Sequence, residues 1–194
     1  MTPPVTLPDG ELDYIPGFIP AAEADRLWAE LLDRIDWQEK TITLFGRPVR
    51  SPRLSAWYGD AGARYRYSGL TLEPLPWLEP LNALKVQIET NLGQAFNSVL
   101  ANLYRDGNDS MGWHSDNEPE LGPQPLIASL SFGAERRFLL RHRRKSVAPA
   151  SMNLEHGSLL VMQGDTQHYW RHSIPKTRLP VGARINLTFR TIQV

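Results

Sequence analysis

The chain contains no cysteine, and its 21 basic and 21 acidic side chains leave a formal net charge of zero. The lack of thiols excludes disulfides and thiolate metal sites, and it suits a reducing compartment. No apolar stretch approaches the length of a membrane span, and the start, Met1-Thr2-Pro3-Pro4, lacks the basic end and apolar run of a signal peptide. With 194 residues, 41% of them hydrophobic, the chain can bury one normal core. We therefore expect a soluble cytoplasmic protein with no membrane partner.

The zero net charge conceals an uneven distribution of basic side chains. Residues 1–40 carry only three, and two basic groups follow later. Segregated basic patches let a neutral protein bind a polyanion locally. The first group also fits scattered solvated charges, but for the run 141–145 we favour a phosphate-facing loop over a solvated turn or a localisation signal. The groups are Arg47, Arg50, Arg53, Arg64 and Arg66, and then Arg136, Arg137, Arg141, Arg143, Arg144 and Lys145.

Apolar spacing predicts helices towards the front of the chain and strands behind them. Leu27, Leu31 and Ile35 recur at helical spacing, and a second helix is predicted over 77–92, ended by Gly93. Helices followed by short strands indicate an α+β domain with a sandwich or jelly roll. The predicted strands are 98–104, 126–132, 137–142, 158–163, 168–174 and 184–191.

The segment 37–70 has a different pattern. Thr41-Ile42-Thr43-Leu44 alternates like a strand and leads into the turn Phe45-Gly46-Arg47-Pro48, which predicts a hairpin that carries an exposed aromatic. Four aromatics then alternate with three arginines. Such a mixture suits a surface that stacks bases and binds phosphates, although it equally fits the edge of a core strand. These aromatics are Trp57, Tyr58, Tyr65 and Tyr67, and the arginines are Arg53, Arg64 and Arg66.

The strand Arg184-Ile185-Asn186-Leu187-Thr188-Phe189-Arg190 alternates apolar and polar side chains. Because side chains alternate between the faces of a strand, Ile185, Leu187 and Phe189 share one face and the polar residues share the other. The two arginines lie roughly 20 Å apart along the strand, at ~3.3 Å per residue. A solvated face is one interpretation. Guanidinium groups that bracket an amide and a hydroxyl instead favour a cradle for the two ends of a short dianion.

Upstream, His114-Ser115-Asp116 places an imidazole and a carboxylate on one side of an extended segment. His168 and His172 follow later in the chain. Two histidines and one carboxylate form the facial triad of non-heme Fe(II) oxygenases, which leaves coordination positions open. The spacing does not decide whether His168 or His172 is the third ligand.

In this order, the motifs resemble the AlkB family of Fe(II)- and 2-oxoglutarate-dependent dioxygenases, from about Pro52 to Thr191. The matching motifs are Pro52-Arg53-Leu54-Ser55-Ala56-Trp57-Tyr58-Gly59, Asn102-Leu103-Tyr104, His114-Ser115-Asp116, Ile127-Ala128-Ser129-Leu130-Ser131-Phe132-Gly133-Ala134, His156-Gly157-Ser158-Leu159-Leu160, His172-Ser173-Ile174-Pro175 and the strand 184–190.

The resemblance implies a fold and a division of the chain. The expected fold is an α+β domain with a double-stranded β-helix (jelly-roll) core, N-terminal helices and a nucleotide-recognition lid. One AlkB-like domain would then span 1–194. Within it, 1–36 would be an N-terminal extension and helix, 37–70 the lid and 97–194 the catalytic core.

The resemblance also implies the metal and co-substrate residues. It selects His172 as the third Fe(II) ligand beside His114 and Asp116, because the family's distal histidine precedes a Ser/Arg-x-Pro motif, here Ser173-Ile174-Pro175. The remaining histidines would then be structural or surface residues. The residues implied to bind 2-oxoglutarate are Asn102, Tyr104, Arg184, Asn186, Thr188 and Arg190.

For the substrate, the resemblance implies that Tyr67 holds a flipped base against His114. Phe45 resembles the wedge residue of the branch that acts on duplex DNA, whereas the motifs around Arg53 and Asn102 look more like the branch that prefers single strands. Asn117 departs from the aspartate that one branch of the family has at this position, which leaves Glu118 as the acidic candidate beside a cationic base. The implied substrate-binding residues are Phe45, Gly46, Arg47, Arg53, Tyr58, Tyr65, Arg66, Tyr67, Asn117, Glu118 and Arg136.

The implied reaction is oxidative demethylation of N-alkylated bases of the 1-methyladenine and 3-methylcytosine type. It uses Fe(II), 2-oxoglutarate and O₂, and it releases formaldehyde, succinate and CO₂. The expected partner is alkylated DNA, single- or double-stranded, with RNA left open, and a monomer is expected. Two alternatives are a dioxygenase of the same fold that acts on protein or lipid, and a non-catalytic nucleic-acid-binding module.

Overall fold

The computed structural model describes residues 5–44, 47–67 and 70–193. Among these residues, the first half of the chain forms strands β1 (Val5–Leu7), β2 (Gly10–Ile15), β3 (Gln38–Leu44), β4 (Arg47–Gly59), β5 (Tyr65–Tyr67) and β6 (Leu70–Leu72), with helices α1 (Ala21–Arg34) and α2 (Glu79–Leu92). The second half forms β7 (Ser98–Tyr104), β8 (Met111–His114), β9 (Ile127–Gly133), β10 (Arg136–His142), β11 (Ala150–Leu154), β12 (Leu159–Gln163), β13 (Trp170–Ile174) and β14 (Arg184–Arg190). A 3₁₀ turn at Pro119–Leu121 and the short helix α3 (Thr166–Tyr169) complete the elements.

Two antiparallel sheets build the core. The major sheet has the strand order β1-β2-β12-β9-β14-β7-β4-β3, and the minor sheet has the order β11-β10-β13-β8. Their inner faces jointly line a cavity, with side chains from β7, β9, β12 and β14 on one side and from β8, β10, β11 and β13 on the other. This two-sheet arrangement confirms the predicted jelly-roll core and α+β class.

The helices cover the outer face of the major sheet. Leu31 of α1 and Leu81 and Ile88 of α2 are fully buried in one cluster with Leu187 and Phe189 of β14. Burial of such side chains stabilises the domain by about 1.5–3 kcal/mol each. The apolar side of β14 therefore packs against helices, and its polar side faces the cavity between the sheets.

Helix boundaries follow the local signals in the sequence. Helix α1 begins directly after Pro20 and ends at Arg34, one residue before Ile35, the last apolar residue at the predicted helical spacing. Helix α2 ends at Gly93, whose φ of 67° lies in the left-handed region that glycine adopts without steric cost. No helix in the described ranges is long and apolar enough to cross a membrane.

Strand boundaries agree with the prediction in most places. The six predicted strands correspond to β7, β9, β10, β12, β13 and β14, and all their ends but one agree to within one residue. The exception is the predicted start of β13 at 168, since residues 166–169 form α3. β3 and β4 pair as the expected hairpin, whose tip residues Phe45 and Gly46 lie outside the described residues.

Candidate active site

The register between β8 and β13 brings three candidate metal ligands together. His172 pairs directly with His114 across the two strands, and the centroids of their rings lie 4.2 Å apart. Asp116 follows His114 by two residues. One ligand atom from each of the three lies within 4.8 Å of the others, and Asp116 and His172 are buried. The residue between the first two ligands, Ser115, instead accepts a hydrogen bond of 3.0 Å from Nη2 of Arg143.

The other histidines have separate partners. His168 contacts the carbonyl oxygen of Pro123 from helix α3. His156 accepts the backbone N–H of Gly133 at 2.8 Å. His142 is buried and accepts the backbone N–H of Arg144 at 3.0 Å. The structure therefore brings His172, and not His168, to the other two candidate ligands.

The charges of the triad suit a divalent metal. Burial alone would raise the pKa of Asp116, but Arg190, His172 and His114 lower it to about 2, so the carboxylate is ionised. Burial and the neighbouring His114 lower the pKa of His172 to about 3, which keeps its ring neutral and able to donate a lone pair. Two imidazoles and one carboxylate on adjacent strands fit Fe(II) with coordination positions left open.

Two further residues hold Asp116 in place. Nη2 of Arg190 donates to the carboxylate at 2.7 Å, and the backbone N–H of Asp116 donates to Oε1 of Gln167 at 2.9 Å. Gln167 is itself buried, and its amide contacts the sulfur of Met162. The sequence motifs predict a co-substrate role for Arg190 and give no signal for Gln167, because an amide beside His168 carries no motif.

Arg184 is a buried cation, and no carboxylate of the described residues pairs with it. It is 1% exposed, and its Nη2 donates to Ser131 Oγ at 2.9 Å. Its Nε and Nη1 are buried and have no hydrogen-bond partner within the described ranges. Burial lowers the pKa of Arg184 to about 10, and the group stays charged at neutral pH. Because an unpaired buried charge is costly, this guanidinium favours binding of an anion in the cavity.

Asn186, in the middle of the polar wall, is hydrogen-bonded to its neighbours. Asn186 donates to Ser129 Oγ at 2.8 Å and accepts from Thr188 Oγ1 at 3.1 Å. On the neighbouring strand β7, Asn102 and Tyr104 stand opposite Asn186 and Arg184. The structure thus brings all six predicted co-substrate residues to one cavity, which is lined by Leu100, Asn102, Tyr104, Met111, His114, Asp116, Ser129, Phe138, Leu154, Met162, His172, Ile174, Arg184, Asn186, Thr188 and Arg190.

The structure defines the side-chain contacts of three predicted substrate residues, of which two are buried and one contacts the co-substrate wall. Tyr58 is buried in the cluster beneath the helices, and its hydroxyl accepts the backbone N–H of Asp36 at 2.9 Å. Tyr58 lies on the same face of β4 as the buried Ala56, because residues two apart on a strand share a face. Its side chain therefore packs in the core, which corrects its assignment to the substrate. Arg53 donates from Nε to Asn102 Oδ1 at 2.8 Å, which places it at the co-substrate wall.

Arg136 is the third of these residues. It is only 3% exposed, and its guanidinium donates to three backbone carbonyls. It is therefore not available to contact a nucleic-acid strand at the surface, which corrects its assignment to the substrate.

The other predicted substrate residues have varied positions. Asn117 is exposed and Glu118 is half-buried, directly after Asp116. Of the six remaining residues, four have only their backbone described, in β4 and β5, and two lie outside the described residues. Backbone positions alone are described for Arg47, Tyr65, Arg66 and Tyr67, and Phe45 and Gly46 lie outside the described residues.

A basic surface lies on the outer side of the minor sheet. Arg141, Arg143 and Lys145 line a shallow pocket there with Arg171 and His142. The Arg141 guanidinium lies 4.4 Å from the ring centroid of Trp113, the residue before His114. The charge pattern of the sequence marks the run 141–145, but not Arg171 or Trp113, which only the strand pairing brings beside it.

Comparisons with known proteins agree with this arrangement. A model of the 2OG-Fe(II) oxygenase superfamily matches residues 11–190. The chain is 44% identical over 186 residues to human (Homo sapiens) "Alpha-ketoglutarate-dependent dioxygenase alkB homolog 3", which covers 91% of this chain and 64% of that protein. It is 42% identical over 181 residues to mouse (Mus musculus) "DNA oxidative demethylase ALKBH2", which covers 88% of this chain and 76% of that protein. The chain thus spans about 64% of the length of the alkB homolog 3 relatives that it matches.

A solved structure, that of OsALKBH1, has the same fold. It superposes with a TM-score of 0.63 over 96% of this chain and 100% of that chain, at 14% sequence identity. At this identity the likeness concerns the fold alone.

Proposed function

The chain belongs to the AlkB family of the 2OG-Fe(II) oxygenase superfamily, and on that premise we propose that it removes methyl groups from N-alkylated bases in nucleic acid, using Fe(II), 2-oxoglutarate and O₂. One observation carries the proposal: the triad of His114, Asp116 and His172 shares a cavity with Arg184, a buried guanidinium with two unpartnered nitrogens. A metal site beside an anion site is what an oxygenase with a dicarboxylate co-substrate requires.

His114, Asp116 and His172 would hold the Fe(II), and Arg184 would bind the distal carboxylate of 2-oxoglutarate. When bound, the metal with 2-oxoglutarate and O₂ supplies the oxidation of the N-methyl group, which leaves as formaldehyde with succinate and CO₂ as the other products. The chain's own contribution is to bind and orient.

Arg190 orients Asp116, one of the three residues that would hold the metal. Its hydrogen bond to Asp116 fixes one carboxylate oxygen and stabilises the ionised form. The pKa of this carboxyl group therefore lies at about 2. Gln167 fixes the backbone of the same residue. Apolar side chains such as Leu154 and Met162 line the cavity and limit the entry of water.

The basic surface on the minor sheet would hold the substrate strand. Arg143 and Lys145 are exposed, and the hydrogen bond from Arg143 to Ser115 places this surface one residue from two of the metal ligands. Phosphate contacts there would position the strand without reading its sequence. Glu118, close to Asp116 in the chain, would then face a cationic alkylated base.

We also propose that residues 37–70 act as the lid over this strand. The β3–β4 hairpin extends the major sheet, and Arg53 of β4 reaches the cavity wall at Asn102. The position of Arg53 supports coupling between the lid and the co-substrate pocket.

The test is a turnover assay with purified protein, Fe(II), 2-oxoglutarate and oligonucleotides that carry 1-methyladenine or 3-methylcytosine. Succinate and formaldehyde should form together, and the unmethylated oligonucleotide of the same sequence is the matched control. A panel of single-stranded DNA, duplex DNA and RNA would establish the preferred strand. Succinate without any dependence on the oligonucleotide would contradict a nucleic-acid substrate, and added protein or lipid that raised succinate formation would favour the second alternative. Oligonucleotide binding without 2-oxoglutarate binding would favour a non-catalytic module.

A further inference from the structure

Arg136 is a buried cation that the proposed reaction does not use. Its Nη1 donates to the carbonyl oxygen of Asp106 at 3.1 Å, and its Nη2 donates to those of Asp109 at 2.9 Å and Pro175 at 2.7 Å. No carboxylate lies within 4 Å of this guanidinium in the part of the chain that the structure describes. Burying a charge among carbonyl dipoles is costly, so the three contacts together must offset a substantial desolvation penalty.

The three carbonyls belong to the two loops that frame one end of the cavity. Loop 105–110 follows Tyr104, the last residue of β7, and loop 175–183 leads into Arg184, the first residue of β14. The loops also touch each other, since the N–H of Thr177 donates to the carbonyl oxygen of Gly107 at 2.9 Å. A Cβ added to Gly107 would overlap the carbonyl oxygen of Thr177. Arg136 therefore holds both loops where they are already in close contact.

The same guanidinium lies beside the wall of the co-substrate site. The ring centroid of Tyr104 is 5.7 Å from Cζ of Arg136 and 5.3 Å from Cζ of Arg184. An aromatic ring attracts cations at such distances, so both arginines restrain its position. Burial first, and the charge of Arg136 in addition, lower the pKa of Arg184. Two neighbouring cations strengthen the preference of this end of the cavity for an anion.

We propose that Arg136 is a positioning residue for the co-substrate: by tying loops 105–110 and 175–183 to β10, it fixes Tyr104 and Arg184 at the place where the distal carboxylate of 2-oxoglutarate binds. This inference rests on the proposed function. Arg136 acts through its neighbours and does not contact the co-substrate. Its substitution should weaken 2-oxoglutarate binding and leave the metal site unaffected, because the direct pairing of His114 with His172 across β8 and β13 does not involve either loop.

The experiment measures binding rather than turnover. Calorimetry with Mn(II) in place of iron gives the Kd of 2-oxoglutarate for the unmodified chain and for Arg136→Gln, Arg136→Lys and Arg137→Gln. Arg136→Gln should raise this Kd about tenfold. Arg136→Lys should raise it less, because lysine keeps the charge but not the fork that reaches three carbonyls. Arg137→Gln is the matched control, since Arg137 is the next residue of β10 but is exposed, and it should stay within twofold.

A second ligand separates positioning from general damage. 2-Oxopentanoate lacks the distal carboxylate, so Arg136→Gln should bind it as the unmodified chain does. The affinity for Mn(II) should also be unchanged. If the Kd of 2-oxoglutarate does not change in folded Arg136→Gln, or if both ligands are weakened equally, Arg136 is a structural residue only and the inference is overturned.

A further variant keeps the test decisive if Arg136→Gln does not fold. Gly107→Ala leaves Arg136 in place but forces the two loops apart, and it should also raise the Kd of 2-oxoglutarate selectively. If neither Gly107→Ala nor Arg136→Lys changes that Kd, the inference is refuted. Failure of the unmodified chain to bind 2-oxoglutarate at all would instead contradict the proposed function itself, so the two failures are distinguishable.

Discussion

Lowering the pH should destabilise the metal-free protein through His172. Burial, together with the adjacent His114, lowers the pKa of His172 from its usual 6.5 to about 3 in the folded state. Between these two values the unfolded chain binds a proton at this position and the folded chain does not. Stability therefore rises with pH across this window and falls as the pH is lowered through 6.5.

The magnitude follows from the distance between the pH and the unfolded pKa. Each unit below 6.5 costs about 1.4 kcal/mol, because only the unfolded chain gains the proton. Between pH 7.5 and pH 5.0, the free energy of unfolding should therefore fall by about 2 kcal/mol through His172 alone. Asp116 does not contribute in this range, since its pKa in the folded state is about 2 and its usual value is 3.8.

The assay is urea unfolding at both pH values with a chelator present. The unmodified chain should lose about 2 kcal/mol more than His172→Gln over the same pH interval. His168→Gln is the control, because it removes a histidine outside the triad and should keep the full loss. If His172→Gln loses as much stability as the unmodified chain, then His172 is not held neutral by its surroundings and the reasoning fails.

Three further predictions concern the site and the surface. Replacing His172 by alanine should abolish Mn(II) binding in calorimetry with the fold retained by circular dichroism, and His168→Ala should be mild; the opposite result would mean that His168 is the ligand. Arg184→Ala should weaken 2-oxoglutarate binding more than tenfold, since truncating a buried charged partner costs roughly 2–5 kcal/mol, and an unchanged Kd would refute the assignment. Neutralising the three basic residues of 143–145 should weaken oligonucleotide binding for every sequence and reduce the log–log salt slope by ~0.7–0.9 per lost contact. Turnover at saturating oligonucleotide should then be retained, and an unchanged salt slope would place the strand elsewhere.

Helices and the two faces of β14 could be predicted from the sequence because their signals are local. Leu27 and Leu31 mark the buried side of α1, and Gly93 marks the end of α2. For β14, alternation separated Leu187 and Phe189 from the polar face correctly. Alternation alone could not decide between solvent and a cavity, because a strand of a sheet that is covered on both sides buries both of its faces. The two arginines, read with the upstream motif, favoured the cavity.

The third metal ligand depended on information that spacing does not contain. His168 and His172 lie only four residues apart, and the choice is made by the register that pairs His172 with His114 across β13 and β8. Such pairing is set by long-range packing. The family resemblance selected the residue that the structure brings to the triad, but spacing alone left both histidines open.

The assignment of Arg136 shows how a compositional signal can mislead. It stands at the start of a basic stretch, yet it lies on the same face of β10 as Phe138 and Leu140, which are buried. Arg137 and Arg141 lie on the opposite face of β10 and are exposed. Reading β10 by its period of two would have placed Arg136 inside before the structure did. The alternation of the strand does not reveal the three backbone carbonyls that accept hydrogen bonds from Arg136 and offset the cost of burying its charge.

The outward direction of Ser115 has a practical consequence. Its neighbours His114 and Asp116 face the cavity, whereas its hydroxyl meets Arg143 on the outer side. Because the chain has no cysteine, one introduced at this position would be its sole thiol. A fluorine label attached there would sit one residue from two ligands without entering the cavity. Paramagnetic Mn(II) would broaden its resonance and diamagnetic Zn(II) would not, so occupancy of the metal site becomes readable without substrate, co-substrate or turnover.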